Sequence, residues 1–391
     1  MITALRQFLN EAFVQVIISL LAACWLTVEA IPVIINISRL RNLMKEPEAR
    51  SAHSNRTPTL GGIAIFAGTM IGYFLWQPDG ETHLHHLAIA GIIILFFTGV
   101  KDDILVIAPM KKMLAQIFAS ALVIIGADLR INDFFGILGI HQIPYLISVL
   151  LTVFIFIALT NAINLIDGID GLAGGIGLIA SMIFGSWFLL NAQYPLAILA
   201  ASLSGSLLGF IRFNFSRTSK IFMGDTGSLI LGFVLTLFAV KFIHLNTGAG
   251  AILDAPILAI VVLVVPIFDT LRVFIIRIMD GRSPFTPDKN HTHHILLAQG
   301  LSHFQATCAL CGLTIGLTGF FLLIRHSITT NQSLLILVGL FIAYNYASYL
   351  LIRRVGYVDP SLADTAQKKQ IKREAKARLK KIKRLRKVYE N

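Results

Sequence analysis

"FMGDTGSLILGFVLTLFAVKFI", residues 222–243, sets an aspartate between two glycines and then runs apolar for the length of a membrane crossing. Crossing the hydrocarbon of a bilayer takes about 20 predominantly apolar residues. A helix that merely crosses has no use for Asp225 at its mouth, and a soluble turn would not lead into so many aliphatic side chains. The reading of the fold and the reading of the function meet at this residue.

Outward from there, the 391-residue chain repeats the apolar half of the pattern. Hydrophobic residues make up 55% of it and charged residues 14%, against roughly 25% charged in soluble domains. Apolar runs centre near 12–37, 60–76, 86–100, 113–127, 143–160, 172–190, 195–211, 226–243, 254–275, 304–324 and 333–352. These predict an all-α integral membrane protein, a polytopic bundle of about 11 transmembrane helices over residues 1–352. Short alternating strands, the mark of a β-barrel, are not the pattern. The first run lacks a small-residue cleavage site and reads as a retained helix. Cys308 and Cys311 stand C-x-x-C inside an apolar run, which reads as core packing.

Charge orients the bundle. The loops after the first, third, seventh and ninth runs hold fourteen Lys and Arg, from Arg39 to Lys289, against Arg6, Arg130, Lys241 and Arg325 opposite. By the positive-inside bias the N-terminus lies outside and the C-terminus in the cytoplasm. Most of the formal charge of +12 comes from "KKQIKREAKARLKKIKRLRKVYEN" (368–391), within a basic tail over 353–391. The tail reads as a solvated helix or disordered end, or as an anchor on anionic membrane lipid at about 1 kcal/mol per cation. It lacks the groove-reading pattern of a nucleic-acid binder.

With that topology, the unusual polar residues collect on the cytoplasmic side. "GVKDDILVIAPMKKM" (99–113) brings Asp102, Asp103, Lys111 and Lys112; "NAINLIDGIDGLAGG" (161–175) brings Asn161, Asn164, Asp167 and Asp170. "DGRSPFTPDKNHTHH" (280–294) brings Arg282, Asp288, His291, His293 and His294. Each has a plain structural explanation. An acid pair suits a solvated helix end, Asn and Asp at three-residue spacing glue helices together, and the glycines at 171–177 permit close helix contact. Those glycines do not form a dinucleotide fingerprint, and the histidines alone suit a solvated loop or a metal. Together they argue otherwise, because ionisable groups at membrane depth cost several kcal/mol each and mark functional sites. Carboxylate with amide oxygen is a donor set suited to Mg²⁺, and imidazole, Lys and Arg suit phosphate oxygens. The composition points to phosphoryl transfer at the cytoplasmic membrane surface.

Taken in order, "TPTLGG" (57–62), "KDD", "NAINLIDGIDGLAGG", "FMGDTGSLILGF" and "SPFTPDKNHTHH" resemble the polyprenyl-phosphate N-acetylhexosamine-1-phosphate transferase family over about residues 35–300. The resemblance implies a bacterial multi-pass enzyme of the cytoplasmic (inner) membrane, with its active site on the cytoplasmic face. Such an enzyme moves a sugar 1-phosphate from a UDP-N-acetylhexosamine to undecaprenyl or another polyprenyl phosphate and releases UMP, starting a cell-envelope polysaccharide. The late loop, with Thr292 splitting the histidines, is similar to the WecA/TagO-like branch that accepts UDP-N-acetylglucosamine. The phospho-MurNAc-pentapeptide branch carries a continuous His triplet instead.

Roles follow from the resemblance. Asp225 and Asn164 match the ligands of Mg²⁺, with Mn²⁺ as a substitute. Asp102 and Asp103 match the acidic pair near the lipid phosphate, and His291, His293 and His294 the loop that holds the diphosphate, the set expected to be catalytic. Phe222 matches an aromatic that stacks on uracil, and Asp167 a residue that contacts or positions the base, with Asp170 in the same substrate-binding stretch. Arg282 and Arg56 are further substrate contacts, and Lys111 or Lys112 receives the lipid phosphate. A homo-oligomer is compatible with all of this. Rival classes fit less well. A secondary transporter would show internal repeats and midplane sites, a CDP-alcohol phosphotransferase would need Ala-Arg and later aspartates after "DG", and a dead scaffold would lack a motif.

Overall fold

The computed structural model describes residues 11–41, 43–45, 57–76, 83–246, 252, 254–283 and 290–355. Apolar runs become helices in chain order: α1 (Ala12–Leu40), α2 (Gly61–Phe74), α3 (His83–Leu105), α4 (Pro109–Gly126), α5 (Tyr145–Ile166), α6 (Leu172–Leu190) and α7 (Tyr194–Asn214). There follow α8 (Gly224–Leu245), α9 (Ala255–Val262), α10 (Val264–Met279), α11 (Thr292–Ala298), α12 (His303–Ile324) and α13 (Thr330–Val355).

Each of the eleven apolar runs falls on a helix or, over 254–275, on a helix pair, but not every run makes a helix long enough by itself to cross. Among the described residues nine helices are long and apolar enough to cross a membrane, and α9 with α10 makes a tenth if the bent pair is one span. Helix α2 has 14 residues, about 21 Å at 1.5 Å per residue, short of a bilayer core of about 30 Å. The α9–α10 pair bends by 82°. There the Leu263 N–H turns back to Ile260 O (3.1 Å), and Pro266, in the first turn of α10, has no N–H to offer the carbonyl of Val262.

Two small sheets qualify the all-α expectation. β1 (Met44–Lys45) pairs with β2 (Thr57–Pro58), and β3 (Asp133–Ile137) with β4 (Ile140–Gln142), both antiparallel. The second hairpin closes through Leu138 and Gly139 at φ 53° and 76°, the left-handed pair that lets two strands fold back tightly.

Helix α8 is the axis of the bundle. It is apolar around its whole circumference, Leu231, Phe233, Val234 and Phe238 all being buried, as a helix without a solvent face must be. It packs against α2, α3, α5, α6 and α9. By contrast, only 11% of the most apolar stretch of α13 is buried, against 83% for α8. The N-terminus of α8, with Asp225, is therefore ringed by the ends of its neighbours. Helix α13 runs on to Val355, past the expected domain boundary at 352, and residues 356–391 lie outside the described residues. Cys308 is exposed and Cys311 half-buried, both as free thiols, so core packing holds for neither fully.

Candidate active site

The segment before α8 is held by backbone. Phe222 N donates to Pro58 O (2.8 Å), and Gly61 N and Gly62 N donate to Phe222 O (3.0 Å) and Met223 O (2.8 Å). "TPTLGG" thus acts as a strap that fixes where α8 begins. Gly224 turns the chain into the helix at φ 71°, and a Cβ there would lie 2.0 Å from Thr59 O. Only glycine fits this corner.

The acid pair divides its labour. Asp103 accepts from Asp225 N (2.8 Å), Thr226 N (3.0 Å) and Thr226 Oγ1 (2.6 Å). It caps the first turn of α8 from a neighbouring helix, supplying acceptors and negative charge where the orphan N–H groups point. Asp102 is buried. Its Oδ1 accepts from Ile107 N (2.7 Å), and its Oδ2 meets Lys112 Nζ. Neighbours on a helix point about 100° apart, so adjacency in sequence does not make a functional pair.

Lys112 bridges Asp102 to Asp225, with Nζ 2.5 Å from Asp225 Oδ2, while Lys111 is exposed. The other oxygen of Asp225 accepts from Asn164 Nδ2 (2.7 Å), which also reaches Ser228 Oγ (2.7 Å). Four helices, α3, α4, α5 and α8, meet in this cluster. Its donors are two carboxylates, an amide and a hydroxyl, the hard oxygen types that Mg²⁺ takes while keeping waters and substrate phosphates for its remaining positions. Among the described residues no three His, Cys, Asp or Glu side chains form a metal cage. Asn161, the neighbour of this set in sequence, hydrogen-bonds Gln116 (2.8 Å) instead.

The α5–α6 turn forms a second wall. Asp170 Oδ2 takes Lys220 Nζ (2.7 Å) and His303 Nδ1 (2.9 Å). Burial works against the charge of Asp170, but those hydrogen bonds outweigh it and hold the carboxyl below its ordinary range. Lys220 Nζ also lies 5.2 Å from the ring centre of half-buried Phe222. Asn214 accepts from Gly171 N (2.5 Å) and donates to Ile221 O (2.8 Å), tying this turn to the segment before α8.

Between that turn and the histidine loop lies a cavity of about 240 Å³. Asn164, Leu165, Asp167, Gly168, Arg277, His291, His293 and His294 line it. Asn164 joins the cavity to the acid cluster. Burial, and then the neighbouring His294, press the pKa of His293 down to about 3, so this ring stays neutral. Behind the loop, Asp269 receives His291 Nδ1 (2.7 Å) on one oxygen and Thr292 N (2.7 Å) on the other.

Several of these residues are not among the sequence candidates. Arg277 and Lys220 entered only through their charge in the loops, and Asn214 follows no motif. Asp269 is hidden inside an apolar run, where an acid at membrane depth is itself the signal. Arg282 pairs with Asp280 (2.7 Å) and is not among the cavity-lining residues. Arg56 and Asp288 lie outside the described residues.

Residues 85–243 match the profile described as Glycosyl transferase family 4. The chain is 31% identical over 344 residues to a protein of Bacillus subtilis (strain 168) named probable undecaprenyl-phosphate N-acetylglucosaminyl 1-phosphate transferase, covering 86% of this chain and 90% of that one. It is 34% identical over 305 residues to decaprenyl-phosphate N-acetylglucosaminephosphotransferase of Mycobacterium leprae (strain TN), covering 70% and 74%. It is 29% identical over 282 residues to undecaprenyl-phosphate alpha-N-acetylglucosaminyl 1-phosphate transferase of Escherichia coli (strain K12), covering 69% and 73%.

Proposed function

The chain belongs to glycosyl transferase family 4, among its polyprenyl-phosphate N-acetylglucosamine-1-phosphate transferases, and from that premise we propose how its residues carry the reaction. It is a multi-pass membrane protein that transfers N-acetylglucosamine 1-phosphate to undecaprenyl phosphate. In the proposed reading the donor is UDP-N-acetylglucosamine, the leaving product is UMP, and the site opens to the cytoplasm from a bacterial inner membrane. The positive-inside bias of the loops supports that sidedness.

The observation that carries the reading is the meeting of Asp225, Asn164, Asp102 and Lys112 beside a cavity lined by three histidines and Arg277. Acid oxygens on one side and cationic or imidazole groups on the other suit a diphosphate bound through a divalent cation. Asp225 and Asn164 would hold Mg²⁺, or Mn²⁺ in its place. When bound, the ion offsets phosphate charge and so lowers the cost of bringing two anions together.

The remaining chemistry belongs to the side chains. Lipid phosphate, with its second pKa near 6, is mostly dianionic at neutral pH, so a strong general base is not compulsory. A lipid phosphate oxygen attacks the sugar-linked phosphorus; the new P–O bond forms as the bond to the bridging oxygen breaks, and UMP departs with that electron pair. Lys112 receives the lipid phosphate and Asp102 orients it, removing any residual proton. Asp103, whose oxygens are committed to α8, acts by fixing Asp225. Arg277 and the histidines meet the diphosphate oxygens, while Phe222 stacks on uracil and Asp167 and Asp170 flank the base. Purified protein given polyprenyl phosphate, Mg²⁺ and a panel of UDP-sugars should release UMP with UDP-N-acetylglucosamine alone among common donors. Preference for another UDP-sugar would overturn the donor assignment. A burst of UMP without lipid acceptor, stoichiometric with enzyme, would replace single displacement by a covalent phospho-enzyme route.

A further inference from the structure

Asp269 sits where the sequence shows an apolar run, on α10, with 1% of its surface exposed, and it faces His291, which is 4% exposed. Its two oxygens are used differently. Oδ1 accepts from Thr292 N (2.7 Å), the first N–H of α11, and Oδ2 lies 2.7 Å from His291 Nδ1. An Asn or Ser would cap α11 without charge. A buried carboxylate costs several kcal/mol unless its charge is matched, so a capping duty alone leaves the carboxylate unexplained. Around it the loop is held firmly. Arg272 Nη1 donates to Asn290 O (2.6 Å), and Tyr344 OH donates to Thr292 Oγ1 (2.6 Å).

We propose that Asp269 is a positioning residue for His291. It accepts the Nδ1–H of the ring and so fixes Nε2 toward the cavity, where the imidazolium form, matched in charge by the carboxylate behind it, donates Nε2–H to a diphosphate oxygen. A carboxylate behind a histidine selects tautomer and ring orientation wherever the free nitrogen must meet a ligand in one geometry. His293 shows the contrast within one loop. Its Nε2 is buried without a hydrogen-bond partner among the described residues, and a Cβ on Gly168 would come within 2.4 Å of that atom. Its ring packs against the α5–α6 turn, whereas that of His291 is tethered from behind. The proposal rests on the phosphoryl-transfer reading above.

A double-mutant cycle on full-length protein tests it, with UMP release from UDP-N-acetylglucosamine as readout. Asp269→Asn should lower kcat by about 10–100-fold, the usual cost of losing such a partner, with KM for the UDP-sugar changed less than about twofold. In a His291→Gln background the same change should cost less than about twofold, because the ring on which Asp269 acts is gone. Asp269→Glu, which keeps the charge, should recover part of kcat. Thermal unfolding of each variant in detergent separates out any weakening of the α11 cap, which moves stability in both backgrounds alike. Unchanged kcat for Asp269→Asn, or the full loss repeated on top of His291→Gln, would overturn the positioning role and leave the proposed reaction standing. A wild type that releases no UMP from any UDP-sugar would sink both.

Discussion

The acid cluster and the histidine loop face the same space but are built in opposite ways. Around Asp225 the partners are side chains from three other helices, Lys112 and Asn164 among them, and Lys112 keeps a quarter of its surface exposed. Around His291 the ties run through backbone and buried groups: Thr292 N, Asn290 O, Asp269 and Tyr344. Side-chain ion pairs can be exchanged for a ligand at modest cost, since partly exposed pairs are worth about 1 kcal/mol or less. Backbone-anchored buried networks cannot rearrange without leaving polar atoms unsatisfied. The cluster is therefore arranged to accept charge and the loop to hold shape.

That contrast breaks first at Asp225. Asp225→Ala should remove turnover by on the order of 10³-fold or more while thermal unfolding in detergent stays close to wild type; a large loss of stability instead would place Asp225 in the scaffold. Next, Lys112→Met should cost about 10²-fold in kcat, the scale of one charged transition-state contact, with Lys111→Met nearly silent. Equal losses at the two lysines would dissolve the distinction between them. Phe222→Ala should raise KM for the UDP-sugar about tenfold, since aromatic–base stacking is worth about 1–3 kcal/mol, and kcat should move less.

On the loop side, Tyr344→Phe should report as stability, about 1 kcal/mol for one lost hydrogen bond, with turnover within about twofold. A turnover loss without a stability loss would blur the two regions. Asp170 adds a pH signature. Its carboxyl titrates below the ordinary 3.8, so its ionisation contributes stability that is fully present above that value and fades as pH falls through the folded pKa. Asp170→Asn should be less stable than wild type at neutral pH, and the gap should narrow in acid. The smallest effect is expected at Asp254, at the start of α9, where Asp254→Ala should leave kcat and KM unchanged.

How far the sequence reached is itself uneven. Apolar length located every membrane helix, and glycine-flanked acids in "FMGDTGS" and "NAINLIDG" led to helix ends that converge. Helical phase was beyond reach: nothing in "KDD" says that Asp102 turns to Lys112 while Asp103 turns to α8, nor that Lys112 rather than Lys111 faces inward. Those directions depend on how α3 crosses α8 and on where Pro109 starts α4. Asp269 is not legible as a site residue, because one acid in a long apolar run still reads as a span. The 82° break beside it follows from Pro266 in its three-dimensional setting. Apolarity does not report helix length, as the 14 residues of α2 demonstrate, so the runs alone do not fix how many helices cross.

The central claim is that Asp225 and Asn164 share one divalent cation against a nucleotide's phosphates, and Mn²⁺ binding in the presence of UDP tests it without turnover. Electron paramagnetic resonance titration should find one Mn²⁺ sequestered per wild-type chain, with affinity lowered about tenfold or more in Asn164→Ala and lost in Asp225→Ala. Undiminished Mn²⁺ binding by Asp225→Ala would contradict it.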